Sequence, residues 1–214
     1  MSDHIADLDG RAELADEARQ LLRAMRLTRV GDGDRTKAAE LIAEATALLE
    51  RDAPDQPLWH TGLTEFDGYD DSIELNRIFP FSPAMGAANP ASTLADLRVD
   101  DDGVIRGEVT FAEYHNGPPW NLAHGGVVSL VYDELLGMAG MLGGGGGHTA
   151  SLTIDFRRPT PLGVPVRVAA WMIEPNGRKL FAHGEMHHDG VLLTEARGLF
   201  IQPRSADDAA LGAS

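Results

Sequence analysis

The chain has 214 residues, no cysteine and a formal net charge of -15. That acidity argues against nucleic acid and anionic membranes as partners, because binding to either rests on Lys and Arg neutralising phosphates. Disulfides, thiolate nucleophiles and cysteine-bound zinc are excluded. The acidic start Met1-Ser2-Asp3-His4-Ile5-Ala6-Asp7, together with the lack of any run of about 18 apolar residues, gives the expectation of a cytoplasmic protein with no membrane insertion.

Residues 10–29 place Leu14, Ala18, Leu21, Leu22 and Met25 at helical spacing. Acids come early (Glu13, Asp16, Glu17) and arginines late (Arg19, Arg23, Arg26, Arg29), which suits the macrodipole. After the break Gly31-Asp32-Gly33-Asp34, residues Leu41, Ile42, Ala45, Leu48 and Leu49 mark a second amphipathic helix that stops before Pro54. Residues 1–53 therefore form an N-terminal helical extension, either a hairpin or two separately packing helices. Residues 54–95 mix Pro, Gly and aromatics without a period and predict an irregular covering segment.

A domain over residues 96–203 follows, with a disordered tail at 204–214. Its first hairpin runs from Leu94 to Phe111 around Asp100-Asp101-Asp102-Gly103. Residues 127–142 are apolar almost all round, as in a buried helix, and Gly143 to Gly147 release the chain. Ala150, Leu152, Ile154 and Phe156 then alternate with Thr149, Ser151, Thr153 and Asp155 as a half-buried strand. Three more strands, Val164 to Ile173, Lys179 to His187 and Val191 to Ile201, complete an antiparallel meander. A long antiparallel sheet wrapped around one central buried helix is an α+β arrangement of the hotdog kind.

The chemistry concentrates at Gly117-Pro118-Pro119-Trp120-Asn121-Leu122-Ala123-His124-Gly125-Gly126, just ahead of the buried helix. A glycine turn at a helix start presents free N–H groups to an anion, so Gly125 and Gly126 are candidate oxyanion donors. Asp133 follows Gly126 by seven residues, about two turns, and returns to within roughly 20° of its face. His183 and His187 would share a strand face, but with no further ligand apparent no metal is expected.

These residues resemble PaaI-type hotdog acyl-CoA thioesterases, including thioesterase superfamily members with a GPPG-x-x-HGG loop; the similarity runs from about Asn89-Pro90 to Ile201. The resemblance implies hydrolysis of an acyl-CoA to free acid and coenzyme A in fatty acid metabolism, with Asp133 as general base or nucleophile. It assigns the oxyanion turn to Gly125 and Gly126, an orienting or hydrogen-bonding role to His124, and a hydroxyl near the attacking water to Thr149. Arg157, Arg158, Arg178 and Lys179 fall in the two segments near coenzyme A, and Trp120 and Asn121 are further candidate substrate contacts. Met85, Leu122, Leu136, Trp171 and Phe181 are candidates for pocket depth. No cofactor is implied beyond coenzyme A as part of the substrate. The implied assembly is a homodimer, or a dimer of dimers, whose sites are completed across the interface, with Asp133 and Thr149 of one site coming from different chains. The competing functions are a hotdog enoyl-CoA hydratase or dehydratase and a non-catalytic acyl-CoA-binding module.

Overall fold

The computed structural model describes residues 2–52, 75–117, 121–173 and 175–203. Helices α1 (Ser2–Leu27), α2 (Asp32–Leu49) and α3 (Leu75–Ile78) precede the hairpin β1 (Leu94–Val99) and β2 (Ile105–Thr110). Two-residue strands β3 (Asn116–Gly117) and β4 (Leu122–Ala123) frame the loop before α4 (Gly125–Gly144). The chain then forms β5 (His148–Phe156), β6 (Pro165–Met172), β7 (Lys179–His188) and β8 (Val191–Ile201). Six strands make one antiparallel sheet in the order β1-β2-β6-β7-β8-β5, the hotdog architecture expected. The meander is β6-β7-β8; among the described residues β5 pairs only with β8, so the strand that leaves α4 stands at a sheet edge.

Helix α4 lies in the hollow of the sheet. Strand alternation turns Leu180, Ala182, Gly184 and Met186 of β7 and Ala196, Gly198 and Phe200 of β8 toward it, and the apolar members of this row are buried. The helix comes close because two of these positions are glycine: a Cβ on Gly184 or Gly198 would stand 3.0 or 3.2 Å from Leu136. Tyr132, fully buried, donates its hydroxyl hydrogen to Thr194 on β8, whose carbonyl and Oγ1 both lie 2.8 Å away. This contact fixes the rotation of α4 and hence the direction of Asp133. At the far end Gly145 adopts the left-handed conformation, φ 85°, and its N–H caps the carbonyls of Gly140 and Met141, which ends the helix inside the glycine run.

By length and hydropathy α4 could cross a membrane, which counting consecutive apolar residues had not anticipated. Its packing against β5 to β8 and the acids at its middle account for that apolarity as a core helix, and less than half of it is buried in one chain.

The N-terminal helices depart from the expected layout. Helix α1 begins eight residues earlier than the reading from residue 10, and α1 and α2 do not pack along each other. The hairpin does not form, and α2 buries none of its residues, so among the described residues it does not pack as a separate helix either. The tail at 204–214 and the first half of the covering segment, 54–74, lie outside the described residues. Within 75–93, α3 and a series of tight turns cover one end of the core through Leu75, Phe79, Ala84 and Met85.

Candidate active site

The turn into α4 is held from both sides. The His124 N–H donates to the His115 carbonyl at 2.8 Å, and the Ala123 N–H donates to the Thr160 carbonyl at 2.8 Å. His115 is itself buried, and burial pushes its imidazole pKa down. Its Nδ1 accepts the Ala112 N–H at 3.0 Å, so the ring hydrogen sits on Nε2 and is donated to the Ala91 carbonyl, also at 3.0 Å. Nothing in the sequence distinguishes His115 from the other histidines, and its role had not been foreseen.

His124 is the N-cap of α4, and its Nδ1 accepts the Gly126 N–H at 2.9 Å. The Gly126 amide is thereby occupied. Gly125 is the first helical residue, its carbonyl accepts the Ser129 hydroxyl at 2.8 Å, and its N–H has no partner among the described residues. Of the two glycines expected to face an oxyanion, the geometry leaves Gly125 free to do so.

Thr149 Oγ1 donates to Asp133 Oδ1 at 2.9 Å within one chain, which corrects the expectation that these two residues meet from different chains. The cause is a β-bulge between Thr149 and Ser151. Strict alternation would set Thr149 on the outward row with Ser151 and Thr153. The bulge pairs it instead with Phe200, on the row that faces α4. Asp133 and the Gly125 amide, however, are eight residues apart on one helix, a rise of about 12 Å. One carbonyl cannot touch both in the same chain. The clefts of 360 and 580 Å³ beside α1 include neither residue in their linings, and Asp133 is half-buried in one protomer.

Glu134 points to a different neighbour. Burial raises its pKa, the Ser82 hydroxyl lowers it by hydrogen bonding, and the charge of Asp133 raises it further. Ser82 belongs to the covering segment, which Arg19 of α1 clamps: the buried guanidinium donates to the carbonyls of Gly86, Ala87 and Asn89 and to Ser92 Oγ at 2.8 to 3.2 Å. A chain of contacts thus runs from α1 through residues 82–92 to the acid pair on α4.

The other expected contacts divide. Arg157 is paired with Glu195, its Nε 2.6 Å from Oε1, whereas Arg158 is exposed and continues β5 beyond the Gly125 end of α4. Arg178 Nη1 donates to the Gln202 carbonyl at 3.0 Å and Lys179 opens β7, two strands from His148 at the Thr149 end of β5. Asn121 is exposed with a left-handed backbone, φ 70°. Trp120 lies outside the described residues. It also replaces the last glycine of the GPPG form, which this loop lacks. Met85 and Leu136 are core residues, and Trp171 and Phe181 sit on the sheet face opposite α4, so none of these four lines the acid.

The sequence profile of the thioesterase superfamily matches residues 121–195, a span that holds Gly125, Asp133 and Thr149. A solved thioesterase superfamily protein overlays on 90% of this chain and 90% of its own, with a TM-score of 0.78 and 29% identity. The likeness thus covers the sheet-and-helix domain, and in sequence its span 121–195. The acyl-coenzyme A thioesterase THEM4 of Xenopus laevis is 37% identical to this chain over 91 residues, 42% of this chain and 40% of that protein. The Bos taurus protein of the same name is also 37% identical over 91 residues, 37% of its own length. The chain therefore spans less than half the length of these curated relatives.

Proposed function

We propose that the protein is an acyl-CoA thioesterase that works as a homodimer with two composite sites. The observation that carries this reading is the Asp133 carboxylate, held by the Thr149 hydroxyl on a helix whose first amide has no partner among the described residues. With Oδ1 occupied by Thr149, Oδ2 is left to take a proton from water. The water oxygen bonds to the thioester carbonyl carbon, and the Gly125 N–H stabilises the tetrahedral oxyanion. Collapse breaks the carbon–sulfur bond, and the departing thiolate recovers the proton from Asp133. Thr149 thus acts by orienting the acid rather than by donating to the water.

The rise along α4 supports pairing each Gly125 amide with the Asp133 of a partner. An isologous two-fold near Ser129 and Leu130 would bring both pairs together at once. The half-uncovered apolar face of α4, with Leu130 exposed, and the free edge of β5 support the same contact. This arrangement would also bring Arg158 at one end of β5 toward Lys179 of the other copy, a local basic patch for coenzyme A phosphates on an acidic protein. The names of the Xenopus laevis and Bos taurus relatives support acyl-CoA as substrate.

Release of free thiol from acyl-CoA tests the reaction and separates it from a hydratase, which leaves the thioester whole. Asp133→Ala is expected to fold and to lose at least about 100-fold in rate. A folded Asp133→Ala protein with the full rate would remove the assignment.

A further inference from the structure

Gly125 lies against the ring of Phe156, the last residue of β5: Cζ and Cε1 are 3.5 and 3.6 Å from where a Cβ on Gly125 would stand. Phe156 shares the α4-facing row of β5 with Leu152 and Ile154, yet it is 54% exposed. The adjacent Arg157–Glu195 pair and the backbone N–H groups of Arg157 and Arg158, both donating to the Leu193 carbonyl at 2.9 Å, fix the strand end that carries the ring. A phenyl ring held on a rigid element beside an unpartnered amide offers a wall to whatever accepts from that amide.

We propose that Phe156 sets acyl specificity by limiting bulk on the carbon next to the thioester carbonyl, so that linear acyl-CoAs are preferred over α-branched ones. The proposal rests on the hydrolytic reading above. A carbonyl oxygen that accepts from Gly125 N–H lies about 2.9 Å from the nitrogen. Its carbon and the α-substituents then fall within a few ångströms of the glycine, in the space the ring edge borders. The ring also keeps water from that side of the amide, which strengthens the hydrogen bond made there.

The test compares linear and α-methyl-branched acyl-CoA isomers of three chain lengths on wild type, Phe156→Ala and Phe156→Leu, with thermal midpoint and molar mass followed in parallel. Phe156→Ala is expected to raise the branched-to-linear ratio of kcat/KM by about tenfold, the worth of a contact of this size in an apolar site. Phe156→Leu is expected to fall between, and an exposed ring predicts little change in midpoint. A ratio constant within about twofold in an active enzyme overturns the proposal. So does an equal loss for both isomers accompanied by dissociation of the assembly, which would place the ring in a protomer contact alone. If wild type releases no thiol, the hydrolytic reading fails separately, and the ratio of dissociation constants for the isomers, measured by calorimetry, decides the wall.

Discussion

Asp133 and Glu134 are sequence neighbours with separate partners, one a strand hydroxyl and the other a serine of the covering segment. Because burial raises the Glu134 pKa above its ordinary 4.5, the folded chain holds this proton to higher pH than the unfolded chain. The native state then binds more protons between the two values, so its stability falls as pH rises through that window and is unaffected below it. Glu134→Gln removes the titration but keeps a hydrogen-bond acceptor for Ser82. The variant is expected to gain thermal midpoint relative to wild type as pH is raised from about 4 to about 8. Parallel midpoint curves for the two proteins would refute this. At this scale residue type and spacing drew attention to Asp133 and Gly125, and the family resemblance to Thr149, whose hydroxyl does meet the Asp133 carboxylate. The sequence hid the occupation of the Gly126 amide, because whether His124 caps with its ring depends on a rotamer. It hid Ser82 for a different reason: 52 positions separate it from Glu134, and no short-range pattern encodes that pairing.

Helix α1 owes its docking to a residue that its own sequence makes unremarkable. Arg19 is one of four arginines that suit the C-terminal half of a helix, yet only Arg19 is buried, against carbonyls 67 to 70 positions away. Those carbonyls belong to turns whose own amides are already engaged, such as Gly86 N–H to Ser82 and Ala88 N–H to Pro80. Arg19→Met would remove the four hydrogen bonds that a buried guanidinium makes to residues 86–92, leaving the Ala87 carbonyl without its donor and the Gly86 and Asn89 carbonyls with only their donors from Asn89 and Ser92. It is expected to cost about 3 kcal/mol of stability, read from urea midpoints. Arg19→Lys should recover only part of it, since an ammonium cannot reproduce the planar fork. Stability unchanged by Arg19→Met would mean that the clamp does not tie α1 to the fold. The strands were more legible than the helices' packing. Period-two alternation located β5 to β8 to within a residue or two because a half-buried sheet imposes it. The bulge at Thr149 broke that rule where the site needed it broken, and a single extra residue leaves no mark in an alternating pattern.

At the scale of the whole molecule, the question is whether each site draws on one chain or two. Helical rise separates Gly125 from Asp133 by about 12 Å in one protomer, so the two defects can be placed on different chains and mixed. Asp133→Asn removes the base. Gly125→Pro removes the amide hydrogen at the first helical position, where proline is well tolerated, and His124 before it already has the extended conformation, φ -65° and ψ 130°, that proline demands. Each variant alone is expected to be inactive and folded. Co-refolded in equal amounts, half of the dimers would be hybrids, each with one doubly damaged site and one intact site, restoring about a quarter of wild-type thiol release. Sites contained within single chains would give no restoration on mixing, because every hybrid would still carry one defect in each site, and the composite arrangement would be lost with them.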